Sequence, residues 1–252
     1  MTERAPAGAF NMNVSELEAK NRTYHEAQDH MELLPNYYVW TYGAFRDYLH
    51  GTVVELGCGS GIGISTYVDR TTRTYAVDYN EELVRRIQQR FQSPKVVPIQ
   101  ADLIADWNEL SGITADAVIM MDVLEHFADD KTILEKAWSL LRPDGHLLVK
   151  VPAQRALFSS LDQASGHFRR YDEKDLRALA AAVGYETVRV RHINPVGALA
   201  YRLKSGKTTN FSRTFSMPQL RVINTVLPFL RWFDNVPLLP GLSLAGVFRR
   251  PR

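Results

Sequence analysis

The sequence predicts an α/β chain built on a seven-stranded, mostly parallel sheet with helices on both faces. Three observations carry that fold class. Short apolar runs rich in β-branched residues alternate with helix-period segments, from Val53 to Ile193, which is the pattern of βαβ units. The first run, Val53-Val54-Glu55-Leu56, opens straight into glycines on alternate positions at Gly57, Gly59, Gly61 and Gly63. Three successive strand candidates then end in an acid, at Asp78, Asp102 and Asp122, and ligands of open parallel sheets bind beyond the carboxyl ends of the strands.

Composition sets the bounds. A chain of 252 residues with 45% hydrophobic and 23% charged residues can bury one substantial core. The lone cysteine, Cys58, excludes an internal disulfide and suits a reducing compartment. The start, Met1 to Pro6, lacks a signal-peptide apolar core, and no apolar run has membrane-spanning length, so a cytoplasmic location is expected. The net charge of +2 hides an asymmetry: from Arg189 onward there are eleven Lys/Arg against the single acid Asp234. The basic end allows contact with an anionic substrate or a membrane surface. It lacks an evident base-stacking platform, and no nucleic-acid partner is expected.

In chain order, residues 1–13 read as a disordered lead and Val14 to His50 as mostly helical, with aromatics crowded between Tyr37 and Tyr42. The glycine turn ends the first strand at a point where backbone can take positive φ and a ligand can approach closely. A helix is expected next, its first N–H groups open to lone pairs. Strands are expected at Thr74–Asp78, Lys95–Asp102, Ala115–Asp122, His146–Val151, Glu186–Ile193 and Ser243–Arg249. Helices are expected at Glu81–Phe91, Asp130–Leu141 and Glu173–Val183, with an Arg142-Pro143-Asp144-Gly145 turn before the fifth strand.

The glycine spacing does not fit a dinucleotide fingerprint, because the sixth position from Gly57 is Ile62 and from Gly59 is Ile64. The run E-x-G-x-G-x-G from Glu55 resembles the first motif of class I S-adenosylmethionine-dependent methyltransferases. Val123-Leu124-Glu125-His126 and Arg142-Pro143-Asp144-Gly145 resemble two further segments of that family. The matches cover about residues 50–155 and imply a Rossmann-like class I methyltransferase fold with S-adenosyl-L-methionine as cofactor and S-adenosyl-L-homocysteine as product. By that resemblance Glu55, Gly57, Cys58, Gly59 and Gly61 form the cradle for the methionine part. Asp78 with Tyr79 meets the ribose, and Asp102 with Leu103 the adenine. Asp122 and Val123 lie near the sulfonium, and Tyr37 closes over the cofactor from an N-terminal lid.

The expected organisation is a single domain: an N-terminal helical lid over 14–50, a cofactor core over 51–155, sheet completion by 156–194 and 241–252, and a capping insertion over 195–240. That insertion is too long for an idle hairpin loop. Within it Leu220, Ile223, Leu227, Leu230 and Phe233 fall on one broad helical face, with a break at Pro228. The loop Ser159 to Tyr171 brings His167, Arg169, Arg170 and Tyr171 to the functional edge; these, with Tyr201, are the substrate-binding candidates. His126 and His167 are the candidate bases, beside Asp122, for a hydroxyl acceptor. Ligand-like His/Asp spacing is absent along the chain, so no metal is expected. A small-molecule acceptor such as a natural product, sugar or lipid-linked glycan is favoured, O-methylated in preference to N-methylated. Protein or nucleic-acid methylation, and a non-catalytic cofactor-binding module, are the alternatives. Oligomeric state is left open.

Overall fold

The computed structural model describes residues 28–105, 107–204, 216–236 and 239–252. The expected lead over 1–13 and the first part of the segment expected to be helical, 14–27, lie outside these, as do residues 205–215 of the insertion. Seven strands form one sheet: β1 (Gly51–Leu56), β2 (Thr71–Asp78), β3 (Val96–Gln100), β4 (Ala115–Met121), β5 (Leu141–Pro152), β6 (Glu186–Ile193) and β7 (Ser243–Arg249). The order is β3-β2-β1-β4-β5-β7-β6, parallel throughout except that β7 runs antiparallel to both its neighbours. From β1 the chain moves outward to β2 and β3, then returns to place β4 on the other side of β1. The crevice of such a sheet opens at that reversal, between the ends of β1 and β4.

Alternation along the strands divides the core. Val54, Leu56, Val118, Met120, Leu147 and Val149 face one layer, which is covered by α3 (Asp130–Leu140) and α5 (Glu173–Val183). Val53, Ala117, Ile119 and Leu148 face the other, packed by α1 (Pro35–Gly43) through Tyr42 and by α2 (Glu81–Arg90) through Ile87. The central strands are buried on both faces, as a parallel sheet requires. The Arg142–Gly145 turn is a wide bulge at the start of β5: Ala115 pairs with Leu141 and Ala117 with His146, and Asp144 takes a left-handed φ of 62°.

Three expectations are corrected. No α-helix follows the glycine turn; two 3-10 turns, Ile64–Thr66 and Val68–Arg70, stand in its place. The segment Ile62 to Thr72 is dense in Ile, Thr and Val, whose branched Cβ lowers helix propensity. Ile64 and Tyr67 fill the layer that a helix would have covered.

The helix α7 (Met217–Leu230), which follows α4 (Ser160–Ala164) and α6 (Pro195–Lys204) in chain order, continues through Pro228. A proline cannot donate to the carbonyl four residues back, here that of Asn224. That carbonyl accepts instead from Asn36 Nδ2 at 2.9 Å, while Asn224 Oδ1 accepts the Asn36 N–H at 2.9 Å. The acceptor left over by Pro228 thus becomes the docking point for α1. Third, Phe233 is 46% exposed, whereas Leu220 and Leu227 are buried, so the apolar face of α7 stops short of Phe233.

The N-terminal segment and the insertion meet a second time, where Trp40 Nε1 donates to Asp234 Oδ2 at 2.6 Å and the Asn194 N–H to Asp234 Oδ1 at 2.7 Å. Among the described residues no helix is long and apolar enough to cross a membrane.

Candidate functional site

The crevice is built from the strand ends upward. The chain leaves β1 with Gly57, Gly59 and Gly61 at φ of 70°, 56° and 74°, a conformation costly for any residue with a Cβ. The Gly57 and Cys58 N–H groups both donate to Val77 O, at 2.8 and 3.0 Å, which folds the turn against the end of β2. The Gly59 N–H donates to Asp78 Oδ2 at 2.9 Å and the Asn80 N–H to Asp78 Oδ1 at 2.9 Å. Asp78 is thereby fixed beside the turn, with Tyr79 half-exposed next to it. A Cβ on Gly57 would come within 2.6 Å of Val123 Cγ2, so the exits of β1 and β4 touch. One on Gly59 would meet Gln28 Oε1 at 2.6 Å; its open side faces the N-terminal segment. Cys58 is buried, and burial pushes its thiol pKa well up.

Glu55 lies beneath the turn, not in the crevice. It is 1% exposed and accepts hydrogen bonds from the hydroxyls of Tyr42 and Tyr67, the latter at 2.6 Å. Burial raises its carboxyl pKa to about 7, against the pull of those two bonds. Its carboxyl ties Tyr42 and Tyr67 together beneath the cradle.

At the far side, Asp102 accepts the Ile104 N–H at 2.9 Å beside buried Leu103. Asp122 takes a left-handed φ of 55° just past β4, with its side chain 44% exposed and paired to Lys150. Lys150 was missed in the sequence, although a lone lysine inside the apolar run His146 to Pro152 was its signal. Burial works against its charge, and Asp122 and Tyr37 hold its pKa up nonetheless. Its ammonium lies 5.4 Å from the Tyr37 ring centroid, which brings α1 to the same corner.

One turn beyond Asp122, Glu125, His126 and His167 place one ligating atom each within 4.8 Å of the others. The two imidazoles meet edge to face at 4.7 Å between centroids. Glu125 is fully buried, neither carboxylate oxygen has a hydrogen-bond partner, and burial and then Asp122 hold its pKa well above the carboxylate range. Spacing along the chain showed no such cluster because His167 arrives from another loop, tied down by Phe168 N–H donating to Glu125 O at 2.8 Å.

Of the candidate substrate-binding residues, His167 alone faces this cluster. Asp162 organises the rest: His167 Nδ1 lies 3.2 Å from its Oδ1, Arg170 Nε donates at 2.9 Å and Tyr201 OH at 2.8 Å. Burial opposes ionisation of Asp162, but these bonds hold its carboxyl below the usual range. The Arg170 guanidinium is buried, stacked 4.3 Å from the Tyr201 ring. Arg169 donates to Asp130 Oδ2 at 2.7 Å and Tyr171 OH to the same oxygen at 2.8 Å. Arg169, Arg170, Tyr171 and Tyr201, expected to clamp substrate, therefore hold the loop in shape.

The cradle fits the methionine and ribose of the implied cofactor. Its glycines hold the left-handed φ that lets the turn stay tight at the end of β1, and Ser60 Oγ is buried in the turn without a hydrogen-bond partner. Comparison with known proteins agrees. A family model described as a methyltransferase domain matches residues 31–190. A probable S-adenosylmethionine-dependent methyltransferase of Mycolicibacterium smegmatis is 29% identical over 136 residues, 53% of this chain and 51% of the relative. A trans-aconitate 2-methyltransferase of Azoarcus sp. is 30% identical over 155 residues, 60% and 53% of the two chains. The chain spans about half the length of the curated relatives it matches. In fold it is similar to an S-adenosylmethionine-dependent methyltransferase structure from Mesorhizobium loti, with a TM-score of 0.60 and 15% identity over 84% of this chain and 98% of that one.

Proposed function

The chain belongs to the S-adenosylmethionine-dependent methyltransferase family, and from that premise we propose that it methylates a hydroxyl of a small molecule in the cytoplasm. The observation that carries the acceptor is the Glu125–His126–His167 cluster, one turn past Asp122 and so at the mouth of the crevice. When bound, the cofactor supplies a methyl group on a positively charged sulfur with a neutral thioether as leaving group. Gly57, Gly59 and Gly61 admit it closely, Asp78 meets its ribose, and Asp102 and Leu103 its adenine. The protein's remaining task is to orient the acceptor, exclude water and take one proton.

His126 is exposed at the crevice mouth and His167 packs against it. Together they accept the hydroxyl proton, with Asp162 fixing the orientation of the His167 ring. Tyr37, held near Lys150 and Asp122, closes the same corner from α1. An amine acceptor would arrive with its own lone pair and would not need either imidazole.

Incubation with labelled S-adenosylmethionine and a panel of alcohols, phenols and amines tests this. Methyl transfer to a hydroxyl is expected, with His126→Ala and His167→Ala lowering turnover by about a hundredfold for loss of a general base at unchanged cofactor affinity. Full turnover in both variants would remove the imidazoles from the chemistry. Transfer to amines alone would replace the acceptor class.

A further inference from the structure

A second concavity lies apart from the crevice, behind α1. It encloses about 580 Å³ between the N-terminal segment, the 3-10 turns after β1, strand β6 and the end of the insertion. None of Gly57, Gly59, Asp78, Asp102, Asp122 or His126 lines it. Four arginines do, Arg46, Arg70, Arg191 and Arg231, contributed by four separate parts of the chain. Among the described residues none of the four forms a salt bridge.

The lining holds one acid, Asp234, and both of its oxygens are engaged, by Trp40 Nε1 and the Asn194 N–H. Arg191 Nε is buried and has no hydrogen-bond partner. An unpaired buried guanidinium N–H is costly, and four arginines against the single acid Asp234 give the cavity a net positive field that draws an anion. Guanidinium groups match the planar oxygen edges of phosphates, which they bind by two bonds at once.

We propose that this cavity is a binding site for a phosphate monoester or diester group, distinct from the cofactor crevice. Its occupant has two possible sources. One is a soluble phosphate compound. The other is a lipid headgroup, since the rim residue Trp232 is 81% exposed beside Phe229 at 74%, with Val222 at 64% further along α7. Exposed aromatic and aliphatic residues flanked by arginine are what an interfacial helix presents to an anionic membrane.

The test uses the full chain and two probes: inorganic pyrophosphate by calorimetry, and sedimentation with vesicles of phosphatidylcholine alone or mixed equally with phosphatidylglycerol. One pyrophosphate site is expected, weakened about tenfold or more by Arg191→Met and by the exposed Arg46→Gln, as loss of a charged hydrogen bond implies. The Arg46→Gln variant, at an exposed position, is checked for folding by circular dichroism and by retained S-adenosylhomocysteine affinity. Binding to the phosphatidylglycerol vesicles alone, competed by pyrophosphate and lost in Arg46→Gln, identifies a lipid headgroup. Pyrophosphate binding without vesicle binding identifies a soluble phosphate. Binding of neither probe, or binding that both variants leave intact, overturns the site. Such a failure with S-adenosylhomocysteine still bound by the wild type leaves the methyltransferase reading untouched, whereas loss of that binding strikes the reading and not the arginine cavity.

Discussion

Replacing Glu55 by Gln separates a buried carboxyl from everything else that titrates. Glu55 is 1% exposed, and its carboxyl pKa stands at about 7 in the folded protein against 4.5 for the free side chain. The folded state therefore holds a proton that the unfolded state has lost between those two values. Stability falls with pH wherever the native state binds more protons, so the contribution of Glu55 is fully present below pH 4.5 and is lost as pH rises through about 7. The shift corresponds to about 3 kcal/mol at 1.36 kcal/mol per unit. Urea unfolding of wild type and Glu55→Gln from pH 4.5 to 8 measures it, because every other titration cancels in the difference. The wild type is expected to lose about 3 kcal/mol relative to the variant across that window. Tyr67→Phe removes a hydrogen bond that favours the ionised form, and should move the fall to higher pH. A difference between wild type and Glu55→Gln that stays flat with pH would show that the carboxyl is not held in a desolvated pocket under the turn.

Two further perturbations test the frame of the site. Gly57→Ala combines a left-handed φ of 70° with a Cβ placed 2.6 Å from Val123 Cγ2; destabilisation of about 2–5 kcal/mol is expected from backbone strain and overpacking, read by denaturant midpoint, and a loss under 1 kcal/mol would contradict the contact between the two strand exits. Asn36→Ala should cost about 1 kcal/mol by leaving the Asn224 carbonyl without its donor. In a Pro228→Ala background, where the helix can supply that donor itself, the same substitution should cost markedly less, and equal costs in the two backgrounds would refute the role given to Pro228.

The strands and their acids were legible because a short apolar run rich in β-branched residues, ended by a glycine or an acid, is a local signal. Asp78, Asp102 and Asp122 all sit at strand exits for that reason, and the glycine turn lies where its spacing placed it. Partners remote in sequence were not legible. Arg169 and Tyr171 look like substrate clamps until Asp130, about forty residues earlier, claims both. Pro228 reads as a helix break until Asn36 accounts for its missing donor. Spacing hid the Glu125–His126–His167 cluster and the four-arginine cavity for the same reason, since each is assembled from separate parts of the chain. The absent helix after the glycine turn is a different case: the β-branched run Ile62 to Thr72 signalled it locally, and the strand-then-glycine-turn pattern outweighed that signal.

Calorimetric titration of S-adenosylhomocysteine into the wild type and into Asp78→Ala tests most directly whether the exits of β1, β2 and β4 share one nucleoside-binding crevice. Expected are a single site in the wild type and affinity weakened about tenfold or more in the variant, for loss of charged hydrogen bonds to the ribose. No heat of binding in the wild type, or the same affinity in both proteins, would contradict it.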